Sequence, residues 1–164
     1  MTHHPRTHSR TLAVLLLVAL LASALPGRIA RAAGNVRTLK DAGYTDTSLH
    51  GMYGAAGFWF PFQSDWEMIG EAVFDIQYIA SPLLNPRLST LTAFANDLET
   101  ISINPQPDGA VHTLSFRVPV ERLRGSGVSL RFEGYLRLRE DECEETNNPA
   151  QWLTILAASQ VTFA

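Results

Sequence analysis

The sequence predicts a secreted antiparallel β-sandwich, and three observations support this prediction. A run of apolar residues near the N-terminus is typical of a secretory signal peptide. Beyond it, apolar and polar residues alternate with a period of two, in short segments that turn residues interrupt. No segment of this region has a sustained helical period, and several short strands separated by turns favour a sandwich over a mixed fold.

The N-terminal segment has the three parts of a secretory signal in the usual order. Two arginines and no acidic residue precede residues 12–25, where a single serine is the only polar residue. Pro26 ends this run, and Ala30 and Ala32 supply the small residues of an A-x-A cleavage site. A helix over this run would span about 21 Å, shorter than a hydrocarbon core of roughly 30 Å, which disfavours an uncleaved anchor. We therefore expect residues 1–32 to be a cleaved signal peptide.

Removal of this signal changes the charge of the protein. The chain has 13 basic and 16 acidic residues, and four of the arginines precede residue 33, so the mature chain keeps 9 basic and 16 acidic residues, a net charge of −7. This balance disfavours nucleic acids and anionic membrane surfaces as partners. The only cysteine cannot form an internal disulfide, so the hydrophobic core alone must stabilise the fold.

The mature chain is expected to begin with an irregular polar lead-in over residues 33–47, and the sandwich to occupy residues 48–164. Its clearest strand is Glu71–Ala80, in which every second residue is apolar and the residues between them include an aspartate and a glutamine. The pairs Ser81-Pro82 and Asn85-Pro86 indicate turns directly after this strand, because proline restricts the residue before it to extended geometry.

The middle of the chain predicts a hairpin followed by two longer strands. Leu91–Ala95 and Leu98–Ile103 flank Asn96-Asp97, and both turn residues tolerate the positive φ that a two-residue hairpin requires. Alternation resumes over residues 111–120, and again over residues 128–139, where one face is apolar and the other carries charged residues.

The C-terminal part combines an acidic run with an apolar strand. Residues 152–158 are apolar on both parities, which predicts a strand covered on both faces with Trp152 in the core. The preceding run Glu140–Glu145 surrounds Cys143 with five carboxylates that could bind calcium, but it lacks the D-x-D-x-D-G spacing of a calcium loop. We therefore expect a solvated acidic loop and no metal site, and the carboxylates disfavour the thiolate that a catalytic cysteine needs.

Four stretches of the mature chain occur in an order that resembles a known family. They read TLKDAGY, LHGMYGAAGFWFPF, YIASPLLNPRLSTLTAFAND and CEETNNPAQWLTI. In this order they resemble the first domain of the bacterial cellulose synthase regulatory subunit, the B component. The residues that match the family motifs are Ser81, Pro82, Leu84, Pro86, Ser89, Leu91, Asn96, Cys143, Glu144, Pro149, Trp152, Leu153 and Ile155.

The resemblance implies a fold, a role and partners. It implies a jelly-roll carbohydrate-binding-like domain, the first domain of a normally several times longer protein, so that this chain is either a fragment or a divergent single-domain member. The implied role is that of a non-catalytic, exported subunit that needs no cofactor. The implied partners are a membrane-embedded glycosyltransferase, the cellulose synthase catalytic subunit, and its β-glucan product.

Cyclic di-GMP forms part of the name often given to this family. The pattern that usually binds this dinucleotide is R-x-x-x-R with a later [DN]-x-S-x-x-G, and its R-x-x-x-R half is absent from the mature chain. The net negative charge of the mature chain also disfavours a dianionic ligand. The sequence therefore predicts no site for it.

The aromatic run from Gly57 to Trp66 supplies the candidate carbohydrate-binding residues. Phe58, Phe60 and Phe62 share one strand parity, so if they face the core, Trp59 faces outward, where a flat ring can stack on a sugar. Trp59 and Trp66 are therefore the candidates. The alternative is that either ring packs under a loop or against a partner, since tryptophan is highly buried on average.

Two other functions compete with sugar binding. The domain could be a structural or protein-interaction sandwich, or, more remotely, a secreted glycoside hydrolase with two carboxyls drawn from Asp65, Glu67 and Glu71. Nothing distinguishes these three acids from ordinary surface charge. The sequence therefore predicts a protein that is not an enzyme.

Overall fold

The computed structural model describes residues 35–62, 70–123, 125–140 and 143–163, all of which belong to one compact unit. Within these ranges the chain forms strands connected by turns, and its one helical element is a short 3-10 turn, η1 (Val120–Arg122). No helix in the described residues is long and apolar enough to cross a membrane. The strands are β1 (Asn35–Thr38), β2 (Thr47–His50), β3 (Tyr53–Pro61), β4 (Glu71–Ala80), β5 (Thr90–Ala95), β6 (Leu98–Ile103), β7 (His112–Pro119), β8 (Gly127–Tyr135), β9 (Trp152–Ile155) and β10 (Gln160–Phe163).

The strand pairing is that of a chain folded on itself around the β5–β6 turn. Working outward from that turn, β5 pairs with β6, β4 with β7, β3 with β8, β2 with β9 and β1 with β10, all antiparallel. This long folded hairpin curls into two facing sheets, with β3-β8-β5-β6 in one and the remaining strands in the other. Nested antiparallel pairs divided between two sheets define a jelly roll, so the predicted fold class is confirmed.

Alternating residues of both sheets form the core. On β4 the predicted apolar face is buried, and at its centre the rings of Phe74 and Phe116 stack with centroids 5.0 Å apart. The opposite sheet contributes Phe58, Phe60 and Phe132, all nearly inaccessible to solvent. Burial of each such side chain stabilises the fold by roughly 1.5–3 kcal/mol, which explains how the domain can fold without a disulfide.

The predicted hairpin is confirmed, and the structure explains its turn residues. Asn96 and Asp97 both have positive φ, 49° and 63°, as a type I′ turn requires. The Asn96 side chain also donates a hydrogen bond to the Arg122 carbonyl at 2.8 Å and accepts one from the Ser129 N–H at 3.0 Å. This family-motif residue therefore links the hairpin to β8 and to the 3-10 turn.

Two expectations about strand ends were wrong. The lead-in is not irregular throughout, because Asn35–Thr38 forms β1, whose pairing with β10 compensates for its polar sequence. The long strand predicted over residues 128–139 ends at Tyr135. Beyond this point the Leu136 N–H still donates to the Met52 carbonyl, but the N–H groups of Arg137 and Leu138 donate to the side chains of Ser89 and Glu144, so the regular strand pairing ends.

Trp152 is not a core residue, contrary to the expectation from its apolar segment. On β9 the buried residues are Leu153 and Ile155, whereas Trp152 and Thr154 are half-buried on the outer face. Successive side chains of a strand point to opposite faces, and only one face of β9 is covered by the core. Trp152 therefore lies on the outer face together with Thr154, whose hydroxyl is 2.7 Å from the Ser48 hydroxyl.

Candidate functional site

The outer face of the four-stranded sheet carries the candidate site. Since inward residues of β3 are buried and outward residues exposed, the strand register arranges the outward side chains in rows across β3, β8 and β5. We call this surface the aromatic face. Its rows are Tyr53–Tyr135–Thr90, Ala55–Glu133–Thr92, Gly57–Arg131–Phe94 and Trp59–Ser129.

A groove lies at the tyrosine end of the aromatic face. Tyr53 is 72% exposed, and its ring centroid lies 5.3 Å from that of Tyr135, at an interplanar angle of 34°. The groove has a volume of about 300 Å³, and the Glu133 carboxylate and the hydroxyls of Thr90 and Thr92 contribute to its lining. Flat rings beside carboxylate and hydroxyl oxygens suit a ligand that has both C–H faces and hydroxyl groups.

Tyr135 is held in place by an arginine behind it. Arg137 Nη1 donates to the Tyr135 hydroxyl at 3.0 Å, and the guanidinium carbon lies 6.0 Å from the ring centroid. This hydrogen bond and, after it, the neighbouring Glu144 carboxylate raise the pKa of Arg137 against the opposing effect of desolvation. The cation therefore stays charged and restricts the ring that forms one wall of the groove.

Trp59 forms the other end of the aromatic face, as the parity argument predicted. Phe58 and Phe60 are buried, while Trp59 is 44% exposed. Its backbone N–H donates to the Tyr44 hydroxyl at 2.7 Å, and its indole lies against Gly127, where a Cβ would come within 2.5 Å of Trp59 Cζ2. The first contact holds the backbone of Trp59, and the second places one edge of its ring against Gly127 while the ring remains accessible.

Charges in the middle of the face neutralise one another. Arg131 lies over the Phe94 ring, 4.1 Å from its centroid, forms an ion pair with Glu133, and approaches Asp97 at 4.0 Å. The face therefore offers polar groups without an uncompensated positive patch. Such a surface fits a neutral polar ligand better than a dianion.

The other predicted sugar-site residue, Trp66, lies outside the described residues. The structure does not bring Trp152 to the aromatic face, because Trp152 pairs with His50 in the opposite sheet. Sequence reasoning missed Tyr53 and Tyr135. Tyr53 shares the parity of Trp59 on the same strand and could have been found from that signal, whereas the position of Tyr135 depends on the β3–β8 register.

Family-motif residues after β4 are structural and fix the main chain that follows β8. Ser89 Oγ accepts a hydrogen bond from the Arg137 N–H at 2.9 Å and donates one to the Arg137 carbonyl at 3.1 Å. The N–H of Asn85, which lies between the motif residues Leu84 and Pro86, donates to the same carbonyl at 2.7 Å, and the Ser81 N–H donates to the Trp152 carbonyl at 3.1 Å. This segment thus supplies hydrogen-bond partners for the N–H and carbonyl of Arg137, which no longer belongs to a strand.

Glu144 corrects the expectation of a wholly solvated acidic loop. Its side chain is 5% exposed and accepts hydrogen bonds from the backbone N–H groups of Leu138 and Arg139 and from Gln151 Nε2, while Arg137 Nε lies 3.3 Å away. Burial opposes ionisation, but these donors and the Arg137 charge outweigh it and lower the pKa of Glu144. The Glu144 side chain therefore connects the loop to the chain after β8 and to Gln151.

The remaining candidates that the structure describes, Cys143 and Glu71, show no arrangement for chemistry. Cys143 is exposed and free, and Glu71 is an exposed partner of Arg117 at 3.4 Å, while Asp65 and Glu67 lie outside the described residues. In the part of the chain that the structure describes, no three histidine, cysteine or acidic residues are placed to hold a metal ion.

Comparison with known proteins gives a family match over the whole described region. The sequence pattern of the family described as "Cellulose synthase BcsB, first CBM domain" matches residues 32–164. The chain is also 30% identical over 148 residues to a protein from Xanthomonas axonopodis pv. citri (strain 306) named "Cyclic di-GMP-binding protein". That alignment covers 89% of this chain and 18% of the relative, so the chain spans about a fifth of the relative's length. The resemblance is confirmed, and the matched family is that of a CBM domain while the relative is named as a binding protein, in agreement with the predicted non-catalytic subunit.

Solved structures give only distant likenesses. Infectious bursal disease virus, Gt strain, matches with 11% identity and a TM-score of 0.35 over 72% of this chain and 32% of the viral chain. The C-terminal extracellular domain of Mycobacterium tuberculosis EmbC matches with 9% identity and a TM-score of 0.28 over 72% and 42% of the two chains. At these scores neither likeness bears on function.

Proposed function

Because the chain belongs to the family of the first CBM domain of cellulose synthase BcsB, we propose that it is a non-catalytic accessory domain that binds a β-glucan chain on its aromatic face. The observation that carries the proposal is the placement of accessible rings at both ends of one sheet face, with a groove of about 300 Å³ at the tyrosine end. Aromatic rings stack on flat apolar surfaces, and the hydroxyl and carboxylate oxygens between them can bind sugar hydroxyls.

The proposed setting is the outer side of the cytoplasmic membrane, where the domain assists the nascent glucan of a membrane-embedded glycosyltransferase. The signal-peptide pattern supports export, with Ala33 as the mature N-terminus. Intact-mass measurement of the exported protein checks this step. A mass that includes residues 1–32 would contradict export by cleavage after Ala32.

Titration with cellohexaose, followed by calorimetry, tests the sugar site. Trp59→Ala and Tyr53→Ala should each weaken binding by about 5- to 140-fold, since loss of one stacking ring costs about 1–3 kcal/mol. Trp152→Ala is the matched control, because it removes a half-buried tryptophan from the outer face of the opposite sheet. High salt should leave the affinity almost unchanged, since a neutral polymer has no charge to screen.

A protein-interaction domain without sugar binding is the competing function. The observation that favours it is Leu83, which is 67% exposed in the turn after β4 although the same turn is well ordered by hydrogen bonds. If the wild-type chain binds no cello-oligosaccharide but still associates with the glycosyltransferase, and Leu83→Ala weakens this association, the interaction function replaces the sugar-binding one.

A further inference from the structure

Gly57 is a glycine that the fold does not require. It lies in the middle of β3 with its outward position on the aromatic face, and a Cβ built there meets nothing closer than the Leu130 carbonyl oxygen, at 4.0 Å. The other described glycines each have a structural reason, either a positive φ or a close neighbour. Gly43, Gly51, Gly70, Gly109 and Gly125 have positive φ, and a Cβ at Gly54, Gly127 or Gly134 would come within 3.3 Å of another atom.

A glycine inside a strand is unfavourable unless something else needs the space. Glycine is less stable in a strand than alanine because it loses more conformational freedom on folding, and it often marks a place where a ligand approaches the backbone closely. Here the open space faces outward, with Ala55 next to it on the same face and the two exposed aromatic ends beyond. Ala55 and Gly57 therefore leave a strip without bulky side chains between Tyr53 and Trp59, and we call this strip the floor.

We infer that Gly57 keeps this floor clear for an extended polysaccharide chain that runs along β3, and that the site selects chains long enough to contact both Tyr53 and Trp59. This inference rests on the proposed function and adds the direction and the length preference of the ligand. Trp59 lies six positions after Tyr53 on the same strand, a span of about 20 Å. A disaccharide is too short to bridge this span, whereas a longer oligosaccharide can contact both ends.

Charged side chains of β8 border the floor on one side. Along β8, Glu133 and Arg131 are the register partners of Ala55 and Gly57, and their mutual ion pair fixes two charged side chains along this side of the floor, with the guanidinium over the Phe94 ring. A chain on this floor has its hydroxyl groups next to these charged side chains and its ends on the rings. Contact with both ends and with the floor therefore requires a ligand that lies parallel to β3.

The test compares cellobiose with cellohexaose binding to the purified wild-type chain and to Gly57→Leu. In the wild type, we expect cellohexaose to bind at least about tenfold more tightly than cellobiose, which corresponds to about 1.4 kcal/mol. Gly57→Leu places a side chain on the floor and should remove most of this gain. Its melting temperature should equal or exceed that of the wild type, because the added atoms enter open space in a strand.

Gln160→Leu is the control, since it adds an exposed leucine to the outer face of the other sheet. It should keep the wild-type length dependence. The inference is overturned if both ligands bind the wild type equally, if Gly57→Leu keeps the full gain, or if Gly57→Leu melts well below the wild type and so shows that the glycine is structural. Absence of any binding by the wild type would instead refute the proposed function itself.

Discussion

Removal of the Glu144 carboxylate should destabilise the domain more than any other single change in the acidic loop. In Glu144→Ala, the N–H groups of Leu138 and Arg139 and the Gln151 amide lose their shared acceptor, and the Arg137 guanidinium loses its ion-pair partner. Removing one partner of a buried ion pair costs about 3–5 kcal/mol, and hydrogen bonds to charged groups contribute about 1.5–3 kcal/mol each. Arg137 is 20% exposed, so water replaces part of the loss.

We therefore expect the free energy of unfolding to fall by about 3 kcal/mol, at the lower end of this range. For a domain of this size that loss lowers the melting temperature by about 10 °C. Urea unfolding followed by tryptophan fluorescence gives the free energy, and differential scanning calorimetry gives the temperature. Glu145→Ala is the matched control, because it removes the adjacent exposed carboxylate and should change the stability by less than about 0.5 kcal/mol. Equal stability of the two variants would refute the anchoring role of Glu144.

The pH dependence gives a second check on the same residue. The pKa of Glu144 in the folded state lies below its ordinary value of 4.5, so the folded state binds fewer protons than the unfolded state in this range. The stabilisation is therefore complete above about pH 4.5 and is lost as the pH falls through the folded-state pKa. The stability difference between the wild type and Glu144→Gln should shrink below pH 4.5. A difference that stays constant down to pH 3 would contradict this linkage.

Three further predictions concern the fold. Leu153→Ala, at a fully buried position, should lower the free energy of unfolding by about 2–5 kcal/mol, and Trp152→Ala should lower it less because the Trp152 side chain is half-buried. Calorimetry measures both variants, and the reverse order would place Trp152 in the core. Asn96→Ala should lower the free energy of unfolding by about 2 kcal/mol, because it removes two hydrogen bonds and places alanine at a positive φ. Asn96→Gly should be about 1 kcal/mol more stable than Asn96→Ala in urea unfolding, since glycine tolerates this φ; equal stability of the two variants would contradict a contribution from φ. Cys143 should accept one equivalent of a thiol-labelling reagent in the native monomer, and isolation as a disulfide-linked dimer under mild conditions would count against a free thiol.

Local signals account for the parts of the fold that were predicted correctly. The alternation of β4 and the Asn96-Asp97 turn are decided by residues close together in sequence, and both are found as expected. The errors concern long-range effects. β1 exists because β10 pairs with it, and Glu144 is buried because the chain after β8 supplies N–H donors that no sequence pattern connects to it.

The candidate site was predictable only in part for the same reason. Parity on one strand was enough to place Trp59 outward, and the same argument extends to Tyr53. Tyr135 joins them only through the pairing of β3 with β8, which the sequence does not encode in a local pattern. Gly57 could be recognised as unusual only when the space around it was known.

The indole N–H resonances of the protein test the central claim most directly. During titration with cellohexaose, a two-dimensional ¹H–¹⁵N spectrum reports separately on Trp59, on the aromatic face, and on Trp152, on the outer face of the opposite sheet. Binding along β3 predicts a saturable shift of the Trp59 resonance with the Trp152 resonance unchanged. A shift of Trp152 alone, or no shift of either resonance at saturating ligand, would contradict a glucan site on the aromatic face.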